Sequence, residues 1–325
     1  MKRVLVVGGA GFIGSHTCKL LASRGHEPIV LDNLSAGHEQ AVRWGPLVRA
    51  DIRDSASIEK ALADSRPDAV IHFAAHAYVG ESVTNPAKYY DNNVTGTLVL
   101  LEAMRRAGIG RMVFSSSCAT YGNPGGDLIT EATRLEPINP YGWSKRMVEQ
   151  VLSDYSAAYD LSFVTLRYFN AAGADPDGEL SERHDPETHL IPRTLLAAAG
   201  QATHLDIFGD DYPTPDGTCI RDFIHVMDLA EAHVAAIDLL DRSTGAHRLN
   251  VGTGVGSSIL EIVRHVERVV GRAVPTIVRQ RRPGDPPILV ADPRQANEIL
   301  GFRPRYSDID TIIRTAWPAF AGSAD

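Results

Sequence analysis

Near its start the chain reads RVLVVGGAGFIGSHTCKLLASRG: an apolar run, glycines at positions 8, 11 and 14, and then a helical pattern. Few patterns restrict a fold as tightly. The Val4–Val7 run has the makeup of a strand buried on both faces. Gly8 permits a tight turn, Gly11 lets a pyrophosphate approach the backbone, and Gly14 lets the following helix pack on the strand. Phe12 and Ile13 begin that helix, whose unpaired N–H groups and positive end favour a phosphate. The helix is expected to reach about Arg24 and to be ended by Gly25. The next run, EPIVLDN, predicts a second strand ending in Asp32. A carboxylate there accepts hydrogen bonds from an adenosine ribose and repels a 2′-phosphate, which favours NAD over NADP.

Further strand and helix units follow. GPLVRADI and PDAVIHFAA read as strands, with a helical stretch at 55–65 between them. YYDNNVTGTLVLLEAMRRAG reads as one long helix closed by Gly108, GRMVFSSS as a strand, and LSFVTLRYFN as another. Alternation of this kind predicts an α/β fold of Rossmann type, a parallel sheet with helices on both faces. Ligands of such sheets gather beyond the carboxyl ends of the strands. Asp32, Asp51, His72–Ala75, Ser115–Ser117 and Tyr168–Asn170 all fall at such ends. We expect a dinucleotide-binding domain over 1–170 and a smaller α/β substrate domain mainly over 171–325, with segments around 205–250 as candidates to return to the first.

The stretch INPYGWSKRMVEQVL places Tyr141 and Lys145 one helical turn apart, after a proline at a favoured helix start. An ammonium beside a phenol lowers the phenol's pKa, so the pair can serve as an acid/base device. A packed tyrosine with a solvent-facing lysine fits the same spacing, and both readings stand at this point. The formal net charge of −8 gives no nucleic-acid footprint. Cys18, Cys118 and Cys219 lie far apart with no CxxC, which suits a reducing compartment; Cys118 reads as a small apolar filler. The first apolar run is too short for a signal peptide or a membrane span, so a cytoplasmic protein is expected. His72, His76, His184 and His189 form neither HExxH nor a compact set of four ligands, and no metal is expected.

After Asn170 the pattern loosens. GADPDGELSERHDPETH reads as a loop, LIPRTLLAAAG as a helix and HLDIFG as a strand. A turn-rich segment, DDYPTPDG onward, leads into another helix; AHRLNVG reads as a strand and 257–270 as a helix. RQRRPGDPP is a basic turn, suited to gripping a phosphorylated ligand or equally to a solvated surface.

The stretches GGAGFIGSH, FSSSCATYGNP, NPYGWSKRMVEQ, LRYFNAAGADPDG and DYPTPDGTCIRDFIHVMDLAEAH together resemble the extended short-chain dehydrogenase/reductase family, and within it the UDP-galactose 4-epimerases. The resemblance runs from about residue 3 to beyond 310. It implies an NAD-binding Rossmann domain, a smaller domain for a UDP-sugar, and a homodimer. It implies a catalytic Tyr141, with Lys145 as its partner and Ser117 against the sugar 4-OH. On the cofactor side it matches Gly8, Gly11, Gly14, Asp32, Asn33, Asp51, Ile52, Phe73, Ala74 and Asn92, and the strand-end residues Ala75, Ser115 and Tyr168 join that set. On the substrate side it matches Asn170, Leu190, Arg221, Arg282 and Asp285, with Phe208 beside them. His189 stands where some members have asparagine, Ala77 where some have a lysine facing the dinucleotide, and Leu289 where a tyrosine accompanies glucose/galactose preference. The implied reaction is reversible oxidation at C4 through a transient 4-keto sugar. UDP-glucose/UDP-galactose is the expected pair, with N-acetylhexosamine or pentose UDP-sugars as alternatives. Related dehydratases carry an Asp-Glu pair where this chain has Cys118 and Ala119. A non-catalytic dinucleotide sensor would have no use for Ser117, Tyr141 and Lys145 together.

Overall fold

Thirteen strands appear among the residues described by this computed structural model, which are 1–125, 128–282 and 284–322. In chain order they are β1 (Arg3–Val7), β2 (Glu27–Asp32), β3 (Leu47–Arg49), β4 (Ala69–His72), β5 (Arg111–Ser115), β6 (Ser162–Tyr168) and β7 (Asn170–Ala172). They continue with β8 (Leu205–Phe208), β9 (Ile220–His225), β10 (Ala246–Val251), β11 (Gly256–Ser258), β12 (Thr276–Arg279) and β13 (Ile288–Leu289). Seven of them form one parallel sheet in the order β10-β6-β5-β4-β1-β2-β3. The strand order reverses between β1 and β4, which opens a crevice at their carboxyl ends.

The two-residue period of a strand sends alternate β1 side chains to opposite faces. Val4 and Val6 pack with Leu21, Leu229 and Ile237 on one face; Leu5 and Val7 pack with Ile58, Leu100 and Val148 on the other. Full burial of each such side chain is worth roughly 1.5–3 kcal/mol. The covering helices are Phe12–Ser23 and Val226–Arg242 on the first face, and Ser55–Ser65, Gly96–Ala107 and Pro140–Tyr159 on the second.

One expectation needs correction here. The single long helix before Gly108 is interrupted: Pro86–Tyr89 is α, Tyr90–Thr95 is a π turn, and Gly96–Ala107 is α again. A π turn inserts one residue into the hydrogen-bond ladder, often beside a functional site. Hydrophobic spacing does not report it, because Tyr90–Thr95 is short and mostly polar, too little to show a one-residue slip in phase.

The second lobe has a small sheet of β7, β9, β11 and β13 and a parallel pair, β8 with β12. Its core is Ile191, Leu195, Leu205, Ile207, Ile262, Val266, Ile312 and Ile313. Helix Ile259–Val270 starts with a capping box: the Ser258 hydroxyl accepts the Glu261 N–H and the Glu261 carboxylate accepts the Ser258 N–H. Strand β9 lies inside what reads as a turn-rich segment. Its charged Arg221 and Asp222 mask the alternation, and both are buried by pairing rather than exposed. Of the 205–250 stretch, helix Val226–Arg242 and β10 pack with the large sheet, whereas β8 stays in the second lobe. Ala296, Leu300 and Phe302 also return to the first core. Within the basic turn, Arg279 belongs to β12, and Pro283 lies outside the described residues. Among the described residues no helix is long and apolar enough to cross a membrane.

Candidate active site

The glycine loop leaves space where a phosphate needs it. A Cβ on Gly14 would sit 2.3 Å from the Gly8 carbonyl oxygen, and one on Gly8, whose φ is +82°, would sit 2.5 Å from the Ala74 nitrogen. A Cβ on Gly11 would meet only the Gly8 oxygen, at 3.4 Å, so its other side is open. Helix Phe12–Ser23 starts there with no side-chain cap and no acidic residue in its first turn. Its first N–H groups, including those of Phe12, Ile13 and Gly14, are therefore available to an anion. The residues present fit a dinucleotide pyrophosphate.

Asp32 has a second role that the sequence did not show. Its carboxylate accepts the Ala10 N–H at 3.0 Å and the Leu34 N–H at 2.8 Å, which shapes the glycine loop; burial pushes its carboxyl pKa up. Asp51 accepts a bond from Asn33 at 2.9 Å, and the Arg53 guanidinium beside it holds its carboxyl well below the usual range. Ile52 is buried next to Gly96. The N–H groups of Phe73 and Ala74 donate to the Val7 carbonyl at 2.7 and 3.1 Å, carrying the chain across the β1/β4 crevice toward Ala75. The π turn turns Asn92 and Asn93 inward, and both are buried. Asn93 carries no motif signal in the sequence. It accepts the His76 N–H at 2.9 Å and donates to the His76 carbonyl and the Ser144 hydroxyl, each at 3.0 Å, and so ties the loop after β4 to the Tyr141 helix. Ala77 is exposed.

That helix, Pro140–Tyr159, is started by local sequence: Asn139 caps it by accepting the Gly142 N–H at 2.9 Å, with Pro140 at its first position. Gly142 allows close contact, since a Cβ there would lie 2.4 Å from the Ala119 carbonyl oxygen. The first turn thereby packs on the Cys118–Thr120 turn, and Ser117 is brought to Tyr141, close enough for its hydroxyl to favour the ionised phenol. Lys145 is 3% exposed and donates to the Ser115 carbonyl at 2.8 Å, with its Nζ 5.9 Å from the Tyr141 ring centre. The reading of Lys145 as solvent-facing therefore fails. The expected direction of the Tyr141 shift is also corrected. Burial, as the main cause, raises the phenol pKa, and it lowers that of Lys145 to about 7 while Glu149 raises it. The Ser115 hydroxyl donates to the Tyr168 oxygen at 3.1 Å.

Behind these groups lies a buried network invisible to motif reading. Ser116 donates to Glu149 at 2.7 Å, Arg167 pairs with Glu149 at 2.6 and 3.0 Å, and Arg167 also donates to the Tyr121 oxygen at 3.0 Å. Spacing hints at Glu149, two helical turns beyond Tyr141, but only the sheet brings Arg167 to it. Cys118 is held protonated, its thiol pushed by burial up to about 12, in keeping with a filler role.

On the facing side, Asn170 donates to the Asp222 carbonyl at 2.8 Å, and Arg221, largely buried, is paired with Asp285. Leu289 stands opposite Arg221 in the β9/β13 register. The basic turn is mostly neutralised: Arg279 pairs with Asp206 and Arg281 with Asp211, whereas Arg282 stacks 3.9 Å from the Phe208 ring and has no carboxylate partner among the described residues. His189 precedes helix Leu190–Ala198 and turns its Nδ1 to Glu182 at 2.5 Å instead of capping the helix. His72 is buried against Thr97, its pKa pushed by burial down to about 3.

Known proteins resemble this chain in sequence and fold. Residues 4–252 match the NAD dependent epimerase/dehydratase family. A UDP-glucose 4-epimerase of Rhizobium leguminosarum bv. trifolii is 51% identical, over 98% of each chain. The structure of UDP-glucose 4-epimerase from Brucella ovis in complex with NAD is 59% identical and superposes with a TM-score of 0.96 over 99% of each chain. That from Stenotrophomonas maltophila, with bound NAD and formylated UDP-arabinopyranose, is 40% identical with a TM-score of 0.95, over 98% of this chain and 97% of that one.

Proposed function

This chain belongs to the NAD dependent epimerase/dehydratase family, and from that premise we propose that its main reaction is the interconversion of UDP-glucose and UDP-galactose. The enzyme inverts C4 of a UDP-sugar with NAD as cofactor. What supports the reading is that Ser117, Tyr141 and Lys145 gather at the carboxyl end of β5, two strands from β1 and the open glycine loop that follows it. NAD bound at the glycine loop would supply a hydride acceptor for C4 and, in its oxidised form, a positive charge that favours the ionised phenol. Tyr141 takes the proton of the sugar 4-OH and later gives it back, Ser117 orients that hydroxyl, and Lys145 supports the ionised phenol. Arg221 and Arg282 hold the uridine diphosphate end while the 4-keto sugar turns about its pyrophosphate link. Asn170, His189, Leu190, Phe208, Asp285 and Leu289 complete the substrate side in this reading.

The cofactor ends each cycle as it began, so it has no need to leave. Protein purified without added nucleotide is expected to release NAD or NADH on denaturation. Release of NADP alone would overturn the role given to Asp32, and an empty protein that needs added NAD would trace to the absent cation at Ala77.

Leu289 is smaller than tyrosine and lacks its hydroxyl, which leaves space for a 2-N-acetyl group. We expect UDP-galactose to give the highest kcat/KM, with measurable conversion of UDP-N-acetylglucosamine and weaker conversion of UDP-xylose, which lacks C6 contacts. UDP-galactose tenfold below either rival would reverse the substrate assignment and leave the C4 chemistry standing.

A homodimer in the cytoplasm completes the proposal. Trp143 and Met147, one turn apart on Pro140–Tyr159, and Leu98 on Gly96–Ala107 are large apolar side chains left exposed, which supports pairing through these helices.

A further inference from the structure

The loop expected to carry no metal gathers four ligands. Glu182, His184, Glu187 and His189 each present one ligand atom, and these atoms all lie within 4.8 Å of one another. Both imidazoles turn Nδ1 to the same Glu182 oxygen, at 3.2 Å from His184 and 2.5 Å from His189, and their Nδ1 atoms lie 3.6 and 3.7 Å from the Glu187 carboxylate. Bonds of about 2.0–2.1 Å in a tetrahedral zinc site imply ligand–ligand edges of roughly 3.3 Å. Three of the four separations, 3.2, 3.6 and 3.7 Å, lie near that edge, whereas the 2.5 Å contact between His189 and Glu182 is a hydrogen bond that an entering ion would have to open.

Charge points the same way. The side chains of Glu182 and Glu187 are 3% and 11% exposed, yet among the described residues their only ion-pair partners are the two histidines. The nearby acidic group Asp175, Asp177 and Glu179 is different, because the Lys19 ammonium sits among its three carboxylates at 2.7, 2.7 and 2.8 Å. One cluster is held by a lysine; among the described residues the other is held only by its own histidines, and, against burial, Glu182 and Glu187 raise the His184 pKa. The buried His184 Nδ1 makes no hydrogen bond of good geometry within the protein, although it points into the cluster. Two carboxylates and two imidazoles, the latter neutral once a metal displaces the Nδ1 protons, are a donor set suited to Zn²⁺.

We propose that Glu182, His184, Glu187 and His189 bind one divalent transition-metal ion, Zn²⁺ by preference, in a closed structural site. Four protein ligands leave no position for a reactive water, so the ion's role is to fix the loop. The His184 ring lies edge-on to Phe12 at 6.4 Å and to Tyr78 at 6.3 Å, so a fixed loop braces the first turn of the pyrophosphate helix. Ligation through Nδ1 also keeps the His189 proton on Nε2 as a hydrogen-bond donor.

The test uses the full-length protein stripped with a chelator. Zn²⁺ is titrated in competition with a chromophoric chelator, and Co²⁺ is added separately to read coordination from its visible spectrum. The expected result is saturable uptake of one ion per chain, an intense tetrahedral Co²⁺ spectrum, and a melting temperature that rises with Zn²⁺. His184→Ala and Glu187→Gln should each weaken binding by more than the roughly 10–100-fold that loss of an outer-shell partner costs. Asp177→Asn, in the cluster already filled by Lys19, should leave it unchanged. Glu187→Gln keeps its shape, so the site stays testable if His184→Ala does not fold. No saturable uptake, equal uptake by the His184 and Glu187 variants, or a weak octahedral spectrum would each overturn the site. None of these readouts depends on the epimerase reading.

Discussion

Tyr141→Phe is expected to lower turnover of UDP-galactose by roughly 10²–10⁴-fold, the range for losing a positioned acid/base group. The change removes one oxygen and leaves the buried ring, so the helix and its contact with the Cys118–Thr120 turn should persist. Ser117 keeps its bond from the Ala119 N–H at 3.1 Å, so no polar group is newly stranded there. Binding of UDP-sugar should change little, and kcat and kcat/KM should fall together, the pattern of an interaction made in the transition state. A variant with wild-type turnover would reduce Tyr141 to a packing residue. Because burial raises the phenol pKa and lowers that of Lys145, the protein alone favours the neutral form of each group. The phenolate therefore depends on charge brought in with the ligands.

Glu149→Ala is expected to cost about 3–5 kcal/mol of stability, because it leaves the Arg167 guanidinium charged, buried and unpaired. The Arg167 and Glu149 side chains are 2% and 0% exposed. A loss of that size is a large part of the 5–15 kcal/mol that holds a typical domain folded. Urea midpoints measure it. The double variant Glu149→Leu/Arg167→Met should recover most of the loss, since apolar side chains of similar volume replace a buried pair at little cost. Recovered stability should not restore activity at neutral pH. Glu149 raises the Lys145 pKa, so without it the ammonium is lost at lower pH and the pH–rate profile should move to acid. A stable double variant with an unmoved profile would confine Glu149 to a structural role.

The sequence by itself determined what is local. The glycine loop, its flanking strands and the spacing of Tyr141 and Lys145 were legible because turn geometry and helical pitch act over a few residues. The helix start at Pro140 was legible for the same reason. Other features depend on contacts between distant segments. The Glu149–Arg167 pair needs a helix to lie on β6, and the second burial of Asp32, against the Ala10 N–H, needs β2 beside the glycine loop. The π turn falls in a short, mostly polar stretch, so no pattern announces that Asn93 faces inward. Strand β9 carries Arg221 and Asp222 where alternation asks for apolar residues, and only the second lobe supplies the partners that let them be buried. His184 and His189 show the limit most plainly. Their spacing matches no helix or strand period, and it is the path of an irregular loop that brings both to Glu182. A side chain's neighbours along the chain constrain its backbone, whereas its partners across the fold decide its charge, its burial and therefore its chemistry.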